Sequence, residues 1–122
     1  MEIQFDVPYR GGAAPKHKGP WFSLTEDEVN AWAARAFADA TWRIGGDVAV
    51  AVEVHGTMGP GDAARITARV LAGLTGFAYR SEEAVARVTI GRLARPARKL
   101  VVKVAHTREQ QDGRTEAGSC PD

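Results

Sequence analysis

Three acidic side chains, Asp62, Glu82 and Glu83, lie near the two ends of one amphipathic stretch of the chain. Carboxylate oxygens are the ligands that Mg²⁺ prefers, and converging carboxylates let the metal activate water and neutralise charge on a phosphate. A hairpin-like return after this stretch would bring the glutamates near Asp62, where they could hold one metal weakly. The alternative interpretations are a helix cap for Asp62 and simple surface solvation for the glutamates.

The order of residues between Asp62 and Val85 carries more information than the acids alone. It reads D-A-A-R-I-T-A-R-V-L-A-G-L-T-G-F-A-Y-R-S-E-E-A-V. Without a gap it resembles D-L-D-N-L-x-K-x-x-x-D-x-L-x-G-x-x-x-x-D-D-x-x-V, the signature of the RusA family of Holliday-junction resolvases. The resemblance implies a homodimeric, Mg²⁺-dependent endonuclease that acts on branched DNA in recombination and repair. It also implies catalytic and metal-binding roles for Asp62 and Glu82, with Glu83 as a further metal ligand.

The chain replaces several chemical groups of this signature. Ala64 occupies the position of the second acid, Arg65 that of an asparagine, and Ala68 that of a lysine. Residues four apart share one face of a helix, so the acid and the lysine of the signature are both missing from the same helix face. Because fewer charged ligands lower the affinity for Mg²⁺, we expect weak, altered or lost cleavage. The alternative is a pseudo-nuclease that acts only as a DNA- or protein-binding module, with a protein partner still to be identified.

The basic residues are distributed unevenly along the sequence. The 16 lysines and arginines nearly balance the 15 acids, so the net charge of +1 does not by itself predict a nucleic-acid partner. Between Glu83 and Glu109, however, every charged residue is basic. This segregation favours a phosphate-binding face, with a solvated sheet surface as the alternative. The candidate DNA-binding residues are Arg10, Lys16, His17, Lys18, Arg65, Arg69, Arg80 and Arg92.

Two aromatic residues, Trp21 and Phe22, follow the basic cluster at residues 16–18. Exposed rings beside a basic groove could stack on bases. Anchoring of the loop to the core is the alternative and the favoured interpretation.

Hydrophobic periodicity predicts four strands and two helices. Alternation of larger apolar residues with other residues indicates strands, most clearly for the valines of residues 48–54. Apolar spacing of three and four after Thr25 and after Asp62 indicates helices that these residues cap, with Glu28 completing a capping-box signature at Thr25. The sequence indicates Gly45-Gly46 as the end of the first helix and Gly73 with Gly76 as the end of the second, whose apolar row is Ile66, Val70 and Leu74. The predicted order is β-α-β-α-β-β, an α/β (α+β) domain with a mixed, mainly antiparallel sheet, which is also the order that the resemblance implies. We expect this domain to span residues 1–105 and a polar, disordered tail to span 106–122.

Length and composition are consistent with this single domain. A chain of 122 residues can bury a modest core without metals or disulfides, and its one cysteine, Cys120, has no partner within the chain. No apolar run approaches the roughly 20 residues that cross a bilayer. The sequence therefore predicts a cytoplasmic protein that is not embedded in a membrane.

Overall fold

The fold is a small α+β domain, as predicted. The computed structural model describes residues 2–10 and 18–107. In chain order it contains β1 (Glu2–Pro8), α1 (Glu26–Ala38), β2 (Val48–His55), α2 (Asp62–Leu74), a short 3₁₀ turn (Glu82–Ala84), β3 (Val85–Leu93) and β4 (Lys99–His106). The predicted order of two helices and four strands is confirmed.

The four strands form one mixed sheet in the order β1-β4-β2-β3. β4 pairs antiparallel with both β1 and β2, whereas β3 pairs parallel with β2. The prediction of a mixed, mainly antiparallel sheet is confirmed. β3 and β4 follow each other in the chain, but β2 lies between them in the sheet. The α2 segment is the crossover that the parallel pair requires.

One face of the sheet supplies most of the hydrophobic core. Alternate residues of β1, β2 and β4 point into it, and the helices contribute a second apolar layer. Each fully buried aliphatic side chain stabilises the fold by roughly 1.5–3 kcal/mol through the hydrophobic effect. The helical members of this core are Val29 and Ala33 of α1 and Ile66, Val70 and Leu74 of α2.

The first helix begins where its capping signature predicts. The Thr25 side chain accepts a hydrogen bond from the Glu28 amide at 3.2 Å, and the Glu28 carboxylate accepts one from the Thr25 amide at 3.3 Å. This reciprocal pair is a capping box, which satisfies two amides that the first helical turn leaves without partners. The helix ends at Ala38, well before the Gly45-Gly46 pair that the sequence indicated as its end.

The second helix begins differently from the prediction. Its N-cap is Gly61, whose backbone has a left-handed φ of 77°, and no side chain caps the helix. Asp62 is the first helical residue, and its carboxylate points back towards the preceding turn, where it accepts from the Gly59 amide at 2.9 Å. The predicted N-cap role of Asp62 is therefore wrong, because Gly61 occupies the cap position and the Asp62 side chain accepts from no amide of the helix.

No helix in residues 2–10 and 18–107 is long and apolar enough to cross a membrane. β4 extends through His106, one residue beyond the predicted end of the domain. The predicted tail from residue 108 onwards lies outside the described residues.

The two helices approach each other closely at Gly73. A Cβ atom built there would lie 2.6 Å from the Cβ of Val29 and 3.0 Å from the amide of Asn30. The Asn30 side chain also donates to the Gly73 carbonyl at 3.2 Å, which fixes the contact. Glycine is therefore required inside α2 for packing, although the sequence indicated it as an end signal.

We expect Gly73→Ala to lower the free energy of unfolding by about 1–3 kcal/mol, because overpacking outweighs the gain of about 1 kcal/mol in helix propensity. Urea denaturation measures the change. Gly91→Ala is the matched control, since nothing lies within 4 Å of a Cβ atom built there. Equal midpoints for the two variants would contradict the packing explanation.

Candidate nucleic-acid interface

Asp62 is the one charged side chain that is completely buried in the described part of the chain, with 0% of its surface exposed. One carboxylate oxygen accepts from the amides of Gly59 at 2.9 Å and Trp21 at 3.4 Å. The other accepts from the Arg65 guanidinium at 3.2 Å. Burial of an ionised carboxylate costs little only when it is paired and hydrogen-bonded in this way.

The Asp62 carboxylate also fixes the chain segment before α1. A Cβ atom at Gly19 would lie 2.0 Å from the Asp62 Oδ2 atom, so only glycine allows this approach. Trp21 is 3% exposed, and its indole N–H donates to the Thr57 carbonyl at 3.2 Å. Trp21 therefore anchors the loop to the core, as favoured from the sequence, and is too buried to stack on a base.

Glu82 and Glu83 lie at the other end of α2. This helix has thirteen residues and is therefore about 20 Å long, and the two glutamates follow its C-terminal end in the 3₁₀ turn before β3. Both are exposed. Nearby, burial raises the pKa of the Tyr79 hydroxyl, and the charge of Glu82 raises it further. This hydroxyl donates to the Leu71 carbonyl at 2.6 Å. The structure thus does not bring the glutamates to Asp62.

The fit of these acids to Mg²⁺ is poor. Both oxygens of Asp62 already accept from protein donors, and one of those donors is a cationic guanidinium that would repel a metal. In the part of the chain that the structure describes, no three histidine, cysteine or acidic side chains come together in a way that could hold a metal ion. The expected Mg²⁺ site stays a prediction, and we derive no reaction step from it.

The topology of the sheet collects basic residues at one of its ends. β1 ends and β4 begins side by side, with Pro8 opposite Lys99. In the same way, His55 lies beside both Lys99 and Leu93. The N-terminus of α2 joins this end through Asp62 and its contact with the segment at Gly19. We call the resulting surface the basic end, and its members are Arg10, Lys18, Arg65, Arg92, Arg95 and Arg98.

Three acids near the basic end are already engaged. Asp62 is buried against Arg65, and Asp6 accepts from Lys99 at 2.9 Å. Glu53 contacts the His55 ring at 3.3 Å. Lys18, Arg92, Arg95 and Arg98 are all exposed. The field at this end is therefore positive, although the net charge of the whole chain is only +1.

The loop that precedes β4 is held in place by backbone contacts. The Tyr9 amide donates to the Arg98 carbonyl at 3.1 Å, and the Gly56 amide donates to the Leu93 carbonyl at 3.0 Å. The Arg98 guanidinium lies 5.4 Å from the centre of the Tyr9 ring, within the range of a cation–π contact. Arg95 and Arg98 therefore project from an ordered base. Sequence reasoning left them out of the candidate set, although both belong to the run without acids.

The other candidate DNA-binding residues are placed unequally. Arg69 is exposed farther along α2, where its side chain donates to the Leu24 carbonyl at 3.3 Å. Arg10 lines a cleft with Asp27 and Glu28, which reduces its contribution to the positive field. Arg80 lies with Glu83 at the opposite end of the sheet. Lys16 and His17 lie outside the described residues.

The chain matches no protein-family model and no curated protein. The resemblance to RusA resolvases therefore stays a prediction that is based on the spacing of the residues quoted above.

We expect Asp62→Asn to destabilise the fold by about 2 kcal/mol, because the substitution removes a charge-assisted hydrogen bond to Arg65 inside the protein. Urea denaturation measures this loss, with the exposed Asp47→Asn as the control. An unchanged midpoint together with the loss of a Mg²⁺-stimulated junction cleavage would instead identify Asp62 as a metal ligand.

Proposed function

We propose that the protein is a DNA-binding module that contacts phosphates through its basic end. One observation supports the proposal above the others. Four exposed basic side chains, those of Lys18, Arg92, Arg95 and Arg98, lie at one end of the sheet, where the three acids Asp6, Glu53 and Asp62 are paired or buried. Sequence order alone does not create this surface, because Lys18 is distant in the chain from the segment 92–98.

Binding of this kind reads the backbone of the nucleic acid more than its sequence. Lysine and arginine contacts to phosphate release counterions, so affinity falls steeply as salt rises. Base readout needs a helix or ribbon that enters a groove, whereas the four exposed basic residues lie on loops and at the end of a strand. The proposal therefore predicts tolerance of sequence and strong dependence on ionic strength.

The kind of DNA that we propose follows from the resemblance to RusA resolvases. This resemblance favours branched DNA such as a Holliday junction, with duplex DNA as a weaker ligand, and hence a role in recombination or repair. A cytoplasmic location and a homodimeric state belong to the same proposal. The shape of the basic end supports backbone contact, and the preference for a junction depends on the resemblance alone.

Within this proposal we favour the non-catalytic alternative over a Mg²⁺-dependent endonuclease. Asp62 acts as a buried structural carboxylate, and Glu82 lies beyond the far end of α2. Ala64 and Ala68 are both exposed on α2 and offer neither an acid nor a base. These observations support a module for DNA or protein binding, in which a partner would supply any chemistry.

The basic end is tested by removing two charges and measuring binding to a labelled four-way junction across a salt series. We expect Lys18→Ala combined with Arg98→Ala to weaken binding and to make the slope of log affinity against log salt shallower by about 1.8, which corresponds to two lost phosphate contacts. Both side chains are exposed, so the fold should persist.

The matched control removes two exposed arginines, Arg43 and Arg80, from the opposite end of the sheet. Arg43→Ala with Arg80→Ala changes the net charge equally and should leave the slope unchanged. Equal losses in the two double variants would show attraction by net charge alone, against a defined interface. Affinity for a junction no better than that of serum albumin at low salt would reject DNA binding.

A further inference from the structure

One exposed face of α1 carries acids, a cation and an aromatic ring at helical spacing. Residues 27, 31 and 35 recur every four positions, as do residues 28 and 32, so their side chains share this face. The short side chain of Ala31 leaves space between the turns before and after it. The result is a cleft of about 300 Å³, at the lower limit for small-molecule sites. It is lined by Arg10, Asp27, Glu28, Ala31, Trp32 and Arg35.

The charged groups of this cleft do not neutralise each other in pairs. Among the residues that the structure describes, no ion pair joins either acid of the cleft to Arg10 or Arg35. The Arg35 guanidinium instead lies 4.9 Å from the centre of the Trp32 ring, as a cation–π contact. Bases stack on aromatic rings and on guanidinium planes alike. The cleft therefore offers a ligand carboxylates, guanidinium groups and a stacking surface at the same time.

The cleft is continuous with the basic end. A smaller depression adjoins it, shares Arg10 and Glu28 with it, and extends to Tyr9. The Tyr9 amide donates to the Arg98 carbonyl, and the Arg98 guanidinium lies over the Tyr9 ring. A path along the surface thus leads from Arg98 across Tyr9 and Arg10 to the cleft.

We propose that the cleft binds one unpaired base of a DNA strand whose phosphates lie along the basic end. The inference rests on the proposed function and adds the class of DNA, namely a strand that contains unpaired nucleotides. The plane of the base stacks on Trp32 and Arg35. Its amino group donates to Asp27, and the adjoining phosphate pairs with Arg10.

The two acids make the cleft unsuitable for phosphates alone. Asp27 and Glu28 repel a phosphate backbone, so a ligand that enters must bring hydrogen-bond donors to them. The exocyclic amino group of cytosine is such a donor for a carboxylate, whereas thymine has no amino group. A base inside a duplex is stacked and paired, so it must leave the duplex before it can enter a pocket. The cleft therefore favours cytosine over thymine and a single strand over a duplex.

The first experiment measures the affinity for a labelled duplex and for the same duplex with a short single-stranded extension of cytidines. We expect the extension to strengthen binding about tenfold, which is a typical effect of one stacked base. Equal affinities for the two DNAs would overturn this inference and leave the proposed function standing. Binding to neither DNA would reject the proposed function together with the inference.

The substitution Ala31→Leu fills the cleft without removing any of its charged or aromatic groups. Ala31 is exposed and leucine favours helices, so the fold should persist. We expect the advantage of the extended duplex to disappear and the affinity for the plain duplex to stay unchanged. Ala38→Leu, at an exposed position of α1 outside the cleft, is the matched control. An advantage that survives in Ala31→Leu, or that both variants lose equally, would overturn the assignment of the cleft.

Intrinsic fluorescence reports contact with the indole ring directly. Trp32 lines the cleft, whereas Trp21 is buried and Trp42 stacks on the His106 ring. A cytidine oligomer should quench the emission of the parent. Trp32→Phe should abolish most of this quenching, while phenylalanine keeps a ring against the core. Quenching of equal size in the parent and the variant would place the base elsewhere and overturn the proposal.

Deoxycytidine monophosphate distinguishes a free nucleotide from a strand. It lacks the neighbouring phosphates that the basic end would hold, so we expect it to quench only at much higher concentration than the oligomer does. Quenching by the mononucleotide at the same concentration would assign the cleft to free nucleotides and overturn the proposed path of the strand.

The substitution Asp27→Ala tests the recognition of the amino group. Asp27 is the suitable position because the Glu28 carboxylate also takes part in the capping box of α1. The parent should bind a cytidine oligomer roughly fivefold more tightly than a thymidine oligomer, and the variant should bind both about equally. Removal of the acid should also raise the affinity for thymidine, which a loss of folded protein would not do. Equal affinities in the parent, or a preference that persists in the variant, would contradict the proposed role of Asp27.

Discussion

The buried carboxylate of Asp62 is the interaction on which the arrangement of this protein most depends. It joins the segment at Gly19–Trp21 to the turn at Gly59 and the first turn of α2, across a separation of 41 residues between Trp21 and Asp62. A buried charge is stable only while its donors remain in place, so each segment is held by the need to satisfy the same group. The positions of Lys18 and Arg65 at the basic end follow from this junction.

The contacts of Asp62 also distinguish a structural role from a metal-binding role for the first acid of the RusA-like signature. A carboxylate that ligates a metal must keep oxygen atoms available, whereas both oxygens of Asp62 accept hydrogen bonds from the protein. The carboxylate is buried, pairs with Arg65 and packs against Gly19, and these contacts stabilise the local fold. The acid at the start of the motif therefore has a sufficient structural reason to be present.

The pairing of the strands determines where charged residues collect, and this cannot be read from their order in the sequence. Parallel pairing of β2 with β3 places their C-terminal ends together, and antiparallel pairing adds the start of β4 and the end of β1. The arginines after β3 consequently lie at the same end of the sheet as Lys18, while Glu82 and Glu83 lie at the opposite end. A chain with a net charge of +1 thereby acquires one basic end, while arginines and glutamates are mixed at the other end.

Local sequence patterns determined the elements of this protein, whereas only the tertiary structure decided what its charged residues do. Alternation of valines predicted β2, and the Thr25–Glu28 pair predicted the start of α1, because these signals act within a few residues. The sequence also predicted the buried row of Ile66, Val70 and Leu74. It could not place β2 between β3 and β4, recognise Gly73 as a packing contact, or find Val88 exposed, since each depends on which elements become neighbours. The role of Asp62 was missed for the same reason. An aspartate before an apolar helix has the local pattern of a cap, and its actual partners at Trp21 and Gly59 are brought to it only by the fold.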